Sequence, residues 1–262
     1  MECKNCNKAL RADYSFCPDC GSKIVRNRLT PISLIYDFIE RYFNIDNTFF
    51  KTLSHMVIRP ESVCGGYISG LRKKYLNPVS MLAIALTLSG FTIFFMKKMA
   101  WGSIDFSNIS YTETSSGVAA TEKIMSSTME YSSLLFMFYI PVLALASYFF
   151  FNKKNYNLAE HVVTSIYAQT SFSIISFLYA ILSLSISPQF YIDTVFIYSL
   201  VMVLFCTYVA YRNSMDNLKS LFWRIPMFLL VFIIGYFGIS IATVVVLFLT
   251  GDISIQNFVP AK

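Results

Sequence analysis

Four cysteines open the chain as two tight pairs, Cys3-Lys4-Asn5-Cys6 and Cys17-Pro18-Asp19-Cys20, with ten residues between them. Two thiolates at Cys-x-x-Cys spacing can point at one ion, and two such turns supply four sulfurs. Zn²⁺ takes four thiolates tetrahedrally at about 2.3 Å, and that closed shell leaves no position for a reactive water. The expected chemistry is therefore structural: one Zn²⁺ held by Cys3, Cys6, Cys17 and Cys20, supplying much of the folding energy of a ribbon with almost no core. Two rival uses of Cys-x-x-Cys are a thioredoxin-like redox pair and an iron–sulfur cluster. Neither a βαβ pattern nor ferredoxin spacing surrounds these cysteines. Gly21 follows the second pair, where a left-handed backbone is commonly needed, and residues 8–10 and 14–16 are expected to pair as a minimal hairpin. Arg11, Lys23, Arg26 and Arg28 are basic, but aromatic residues among them are limited to Tyr14 and Phe16, so nucleic acid is not the expected partner. Cys64 and Cys206 stand alone and read as small packing residues. Neither a disulfide framework nor a cleaved secretory signal fits the first 25 residues, so a reducing compartment is expected at this end.

A second constellation lies far along the chain. His161, Ser165, Gln169, Ser173, Ser176, Ala180, Ser183 and Ser187 recur at steps of three and four, one face of a helix. That helix lies in an apolar run, where such a face belongs against other helices or a wet cavity rather than lipid. Close packing through small residues is one use; a polar path, with Glu160 and His161 at its mouth followed by Ser165, Gln169 and Ser173, is the other. Gly238 and Ala242 in the last apolar run offer a matching small face, and Pro141 is placed to kink an earlier one. No nucleophile with its base and no phosphate loop accompanies these residues, so a non-enzyme is expected.

The elements that must position both sets follow from composition. Of 262 residues, 55% are hydrophobic and 14% charged, against about 25% charged in soluble domains. A bilayer core of about 30 Å needs about 20 apolar helical residues. The expected fold class is an all-α membrane protein of three parts: a zinc ribbon (1–25), a cytoplasmic amphipathic neck (29–76) and a transmembrane bundle (77–251). Five spans are expected at about 78–96, 132–151, 158–187, 190–211 and 225–250, with residues 99–130 a solvated loop rich in Ser and Thr. With five spans, 17 Lys and Arg fall on one side and Lys97, Lys98, Lys123 and Lys262 on the other, which puts the amino terminus in the cytoplasm and the carboxyl terminus outside.

In the neck, Pro31 starts a helix with Ile32, Ile35, Tyr36, Ile39, Tyr42 and Phe43 on one face. Asn47 caps a second, whose apolar face is Phe49, Phe50, Leu53, Met56 and Val57, and Arg59-Pro60 stops it. A third runs from Glu61 and leads to Arg72, Lys73 and Lys74, placed to meet an anionic membrane surface. These faces can lie among lipid headgroups or pack on the ends of the spans.

Taken together, the two cysteine pairs, Arg59-Pro60-Glu61-Ser62-Val63, and the run Tyr67-Ile68-Ser69-Gly70-Leu71-Arg72-Lys73-Lys74-Tyr75-Leu76-Asn77-Pro78 resemble a bacterial family of uncharacterised zinc-ribbon membrane proteins. The resemblance implies this architecture in a bacterial cytoplasmic membrane and no established activity. Glu160-His161 also resembles that family's opening of a later span; Tyr167 and Gln169 stand where its further histidines would fall, so a buried histidine site is not carried over. The function expected is an adaptor or assembly factor at the membrane. Its partners would be the lipid bilayer, a cytosolic protein bound through the ribbon, and further copies of the chain. The alternative is a small transporter, channel or lipid-handling protein using the polar face.

Overall fold

The computed structural model describes residues 2–22, 24, 30, 32, 48–104, 115–214 and 221–249. It divides into two compact units, Met1–Phe43 and Asn44–Lys262. In the first, the backbone closes each cysteine pair on itself. Cys3 N donates to Lys8 O and Asn7 N to Cys3 O, while Cys17 N donates to Ser22 O and Gly21 N to Cys17 O. Gly21 has φ +69°, the left-handed conformation that costs a glycine nothing. The expected hairpin is absent among the described residues: Glu2 bridges Ala9 and Ile24 N bonds Ser15 O, pairing each knuckle's own flanks instead.

The second unit is helical: α1 (Thr48–Ile58), α2 (Pro60–Ile68), α3 (Pro78–Phe95), α4 (Ser115–Phe150), α5 (Leu158–Ile186), α6 (Pro188–Ser214) and α7 (Leu221–Leu249). Proline at the first helical position starts α2, α3 and α6, because the missing N–H would have no partner there anyway. Asn77 caps α3, its side chain accepting from Ser80 N at 2.7 Å. At α5, Asn157 and Glu160 form a reciprocal capping box (2.9 and 2.7 Å).

α5 is the central helix, packed against α3, α4 and α6, while α7 lies along α4 and touches α6 little. Three helices are long and apolar enough to cross a membrane: Pro78–Lys98, Leu158–Ile186 and Trp223–Val246. α6 adds a fourth if its two halves, Pro188–Val195 and Ile197–Ser214, bent by 47°, form one span; Leu135–Phe150, the end of α4, is a shorter apolar stretch. Large apolar side chains such as Val79, Phe138, Leu182 and Leu249 are exposed along these helices, a surface suited to lipid rather than water.

Several expectations change here. Residues 115–130, read as loop, are the first half of the 36-residue α4. Ala119, Ala120, Glu122, Lys123 and Met125 favour helix, with no proline until Pro141. Val118, Met125 and Met129 then pack on Met96, Ile104 and Ile192. Pro141 lies inside continuous α4; the bend sits in α6 instead. The Gly238 face is open, and Gly235 makes the close contact: a Cβ there would lie 2.4 Å from Val142 Cγ1. The neck helix expected over 31–43 lies outside the described residues, apart from Ile32.

α1 and α2 pack on the bundle. Met56, Val63, Cys64, Tyr75 and Leu76 are fully buried in one core with Met81, Tyr167 and Val209. Burial pushes the Cys64 thiol well above its usual range. Thr52 Oγ1 accepts from Leu76 N (2.9 Å), and Tyr167 donates to Leu76 O (2.6 Å). Phe49, Thr52, Leu53 and Met56 form the inward side of α1, whereas Phe50 and Val57, expected on the same face, point out. Glu61 and Arg212 form a two-pronged ion pair (2.7 and 3.2 Å) between α2 and α6, but both are over a third exposed. Tyr167→Phe is therefore expected to cost about 1–3 kcal/mol by orphaning a buried carbonyl, and Glu61→Gln clearly less, because solvent screens an exposed pair. Thermal unfolding in detergent checks both; a loss in Glu61→Gln as large as that in Tyr167→Phe would show that the exposed ion pair holds the neck as firmly as the buried bond.

Candidate metal centre and the polar face of α5

Cys3, Cys6, Cys17 and Cys20 come together in the first unit, their four sulfurs within 4.8 Å of one another. Cys3 and Cys20 Sγ are 3.7 Å apart and Cys6 and Cys17 Sγ 3.6 Å apart. Four sulfurs at tetrahedral positions 2.3 Å from one ion lie about 3.8 Å from each other, so the set fits a metal ion. Disulfides, with sulfurs about 2 Å apart, are excluded at these separations. Around the sulfurs the core is minimal: Leu10 is buried with Cys3 and Cys17, and Tyr14 and Ile24 pack at the edge.

Sequence reasoning missed Ser22. Its hydroxyl lies 3.1 Å from Cys20 Sγ and 3.3 Å from Cys3 Sγ. Hydrogen bonds from Asn5 and Ser22 draw Cys20 down to about 5, and Ser22 also lowers Cys3. Cys6 goes the other way: a backbone bond at Lys8 lowers it, but hydrogen bonds with Cys20 and Cys17 and desolvation outweigh that and push it up to about 12. The hydrogen bonds thus favour the thiolate at Cys20 and Cys3 and the thiol at Cys6, whereas a bound ion takes all four as thiolates. Lys8 pairs with Asp19 (2.6 Å) across the two knuckles. Ser22→Ala is expected to weaken metal affinity about tenfold, the usual cost of losing an outer hydrogen bond to a ligand; a chelator competition titration reads it.

The polar face of α5 divides into two parts. Glu160 turns back to cap its own helix and does not point inward. His161 is fully buried, with Nδ1 2.8 Å from Ser147 Oγ on α4 and the rings of Tyr148 and Tyr156 edge-on beside it. The Ser147 hydroxyl also lies 3.0 Å from Ala144 O, and His161 Nε2 is buried without a hydrogen-bond partner. Ser165 is buried one turn on, beside a void of about 10 Å³ that it lines with Ser147 and Thr164, room for about one water. Asn213 of α6 donates to Thr164 Oγ1 (2.9 Å). Gln169 donates from Nε2 to Phe136 O on α4 (2.8 Å). Beyond it the face opens: Gln169, Ser173, Ser176 and Ala180 line a cavity of about 800 Å³ shared with α3, α4, α6 and α7. The near half is thus a hydrogen-bonded helix interface and the far half borders empty space.

Residues 46–90 match a family described as Protein of unknown function (DUF3667). The match takes in α1, α2, the exposed Arg72, Lys73 and Lys74, and most of α3, and leaves out the four clustered cysteines and the α5 face. No curated protein and no solved structure matches the chain. The matched segment is the part of the second unit in which a polar neck turns into an apolar helix. Its buried residues, Met56, Val63, Cys64, Tyr75 and Leu76, join the two. Arg72 and Lys74 lie over the rings of Tyr67 and Tyr75 (5.7 and 5.5 Å), which holds their charges at the neck surface.

Proposed function

We propose that the chain is a bacterial cytoplasmic-membrane protein of about five spans whose amino-terminal ribbon, built on one structural Zn²⁺, recruits a cytosolic protein to the membrane. The four-sulfur cluster carries this reading. A closed thiolate shell offers no catalytic position, and a ribbon with so little core gains its shape from the ion. On its surface Phe16 is 59% exposed, an apolar side chain that a protein partner could cover. The basic excess before residue 78 favours a cytoplasmic neck, with Arg72, Lys73 and Lys74 against anionic headgroups and Phe50 and Val57 turned toward them. The chain acts as an adaptor or assembly factor, alone or with further copies of itself.

The test compares crosslinked captures from native membranes for the wild-type chain, a Cys17→Ser/Cys20→Ser form and a Phe16→Ser form of equal abundance. A cytosolic protein held by the wild type and lost from both variants is expected; captures identical in all three would remove recruitment by the ribbon. Reporters inserted in residues 105–114 are expected outside the cell, and a cytoplasmic signal there would reverse the topology. A second function, a small transporter or lipid-handling protein, is favoured by the cavity along α5.

A further inference from the structure

The cavity beyond Gln169 has a definite chemistry. Its lining is mostly apolar and aromatic, with Tyr139 stacked on Tyr236 (5.5 Å) and Tyr179 on Tyr198 (4.3 Å), and aliphatic hydroxyls at Ser89, Thr92, Ser173, Ser176 and Ser199. None of its described lining residues is charged. At one end sits Gln169, 1% exposed, with one amide N–H committed to Phe136 O and its Oε1 without a partner. From Gln169 to Ala180 the cavity follows α5 for about 16 Å at 1.5 Å per residue, about half of a 30-Å hydrocarbon core. Gln169 lies within a turn of the middle of α5, so its free carbonyl falls near the bilayer centre, where an unsatisfied polar atom costs several kcal/mol. α6 and α7 touch little, and the lining residues Leu200 and Leu204 on one and Ile233 and Phe237 on the other are half or more exposed, which puts the mouth of the cavity between these helices. It therefore opens sideways to lipid.

We infer that this cavity binds a neutral, hydroxyl-headed lipid, taken from the bilayer between α6 and α7, with its hydroxyl on Gln169 and its apolar chain against the tyrosines. A hydroxyl both donates to Oε1 and accepts from the second N–H of Gln169, which is what this amide lacks. A carboxylate or phosphate head has no cation to meet in the lining and would be buried unpaired. A pure hydrocarbon would leave the amide unsatisfied. The inference specifies a ligand for the lipid-handling reading and is independent of the ribbon's role.

Full-length protein in nanodiscs is photolabelled with a diazirine-bearing hexadecanol, and adducts are mapped by peptide mass spectrometry. Labelling of α5–α7 lining peptides is expected, displaced by unlabelled hexadecanol or a polyprenol about tenfold better than by hexadecane, hexadecyl phosphate or palmitate. The better of the two alcohols names the chain type. Gln169→Leu removes the preference for alcohol over alkane, and Ser176→Phe, which fills the cavity beneath an intact Gln169, removes the labelling; both are checked for fold by gel filtration. Equal displacement by hexadecane and hexadecanol in the wild type, or labelling unchanged in a folded Ser176→Phe protein, would overturn the assignment, leaving lipid filler or water as the occupant. Because the ribbon is untouched in every arm, the outcome is separable from that of the capture experiment.

Discussion

A Cys17→Ser chain is expected to lose its metal and, with it, the fold of residues 2–22, while the helical unit stays intact. Cys17 is buried and its sulfur sits 3.6 Å from Cys6, so a serine there removes one corner of the tetrahedron and leaves three thiolates around an open position. Zinc binding to small four-ligand domains is worth on the order of 10 kcal/mol. Against that, the ribbon offers little besides Leu10, Tyr14 and Ile24 as core, and an exposed Lys8–Asp19 pair that solvent screening keeps weak. Limited proteolysis followed by mass spectrometry reads the result directly: cleavage within residues 2–22 rises steeply in Cys17→Ser, and the pattern over 48–104 does not change. A protected ribbon in the metal-free variant would mean that packing, not the ion, organises it.

The second large effect belongs to Gly235. A Cβ at this position would come within 2.4 Å of Val142 Cγ1, closer than any real contact, so Gly235→Val must push α7 away from α4. Overpacking of this kind costs about 1–3 kcal/mol, and in a bilayer close van der Waals contact is a main force holding helices together. Gly238→Val, where the same atom meets nothing within 4 Å, is expected to leave thermal stability unchanged. Val142→Ala should recover much of the Gly235→Val loss. If both glycine variants behave alike, α4 and α7 are not held by this contact.

The features legible in the sequence were those that depend on spacing or on breakers. The cysteine pairs converge because two short Cys-x-x-Cys turns have few other ways to close. Arg59-Pro60 separates α1 from α2, and Asn77-Pro78 opens α3, because proline and a capping side chain act locally. The three-and-four spacing placed His161, Ser165 and Gln169 on one buried side of α5. What escaped depends on partners far along the chain. Phe50 and Val57 fit the periodicity of α1 as well as Thr52 does, yet Thr52 is the residue that turns inward, because Leu76 N needs an acceptor there. The start of α4 is polar, and its helix gains from Met96, Ile104 and Ile192, none of them its neighbours in sequence. Gly235 and Gly238 look alike until Val142 is placed. Glu160 carried a readable signal, the Asn-x-x-Glu capping box, that a search for charged mouths passes over. Ser22 lies two residues past Cys20, a position that no ligand spacing marks.

One zinc ion, bound by four cysteines, is proposed to build the cytoplasmic end of this membrane protein. Elemental analysis of the full-length chain, purified from membranes without added metal, tests it most directly. The expected result is about one zinc per chain in the wild type and close to none in Cys17→Ser. Iron with visible absorption, or metal undiminished by the substitution, would contradict it.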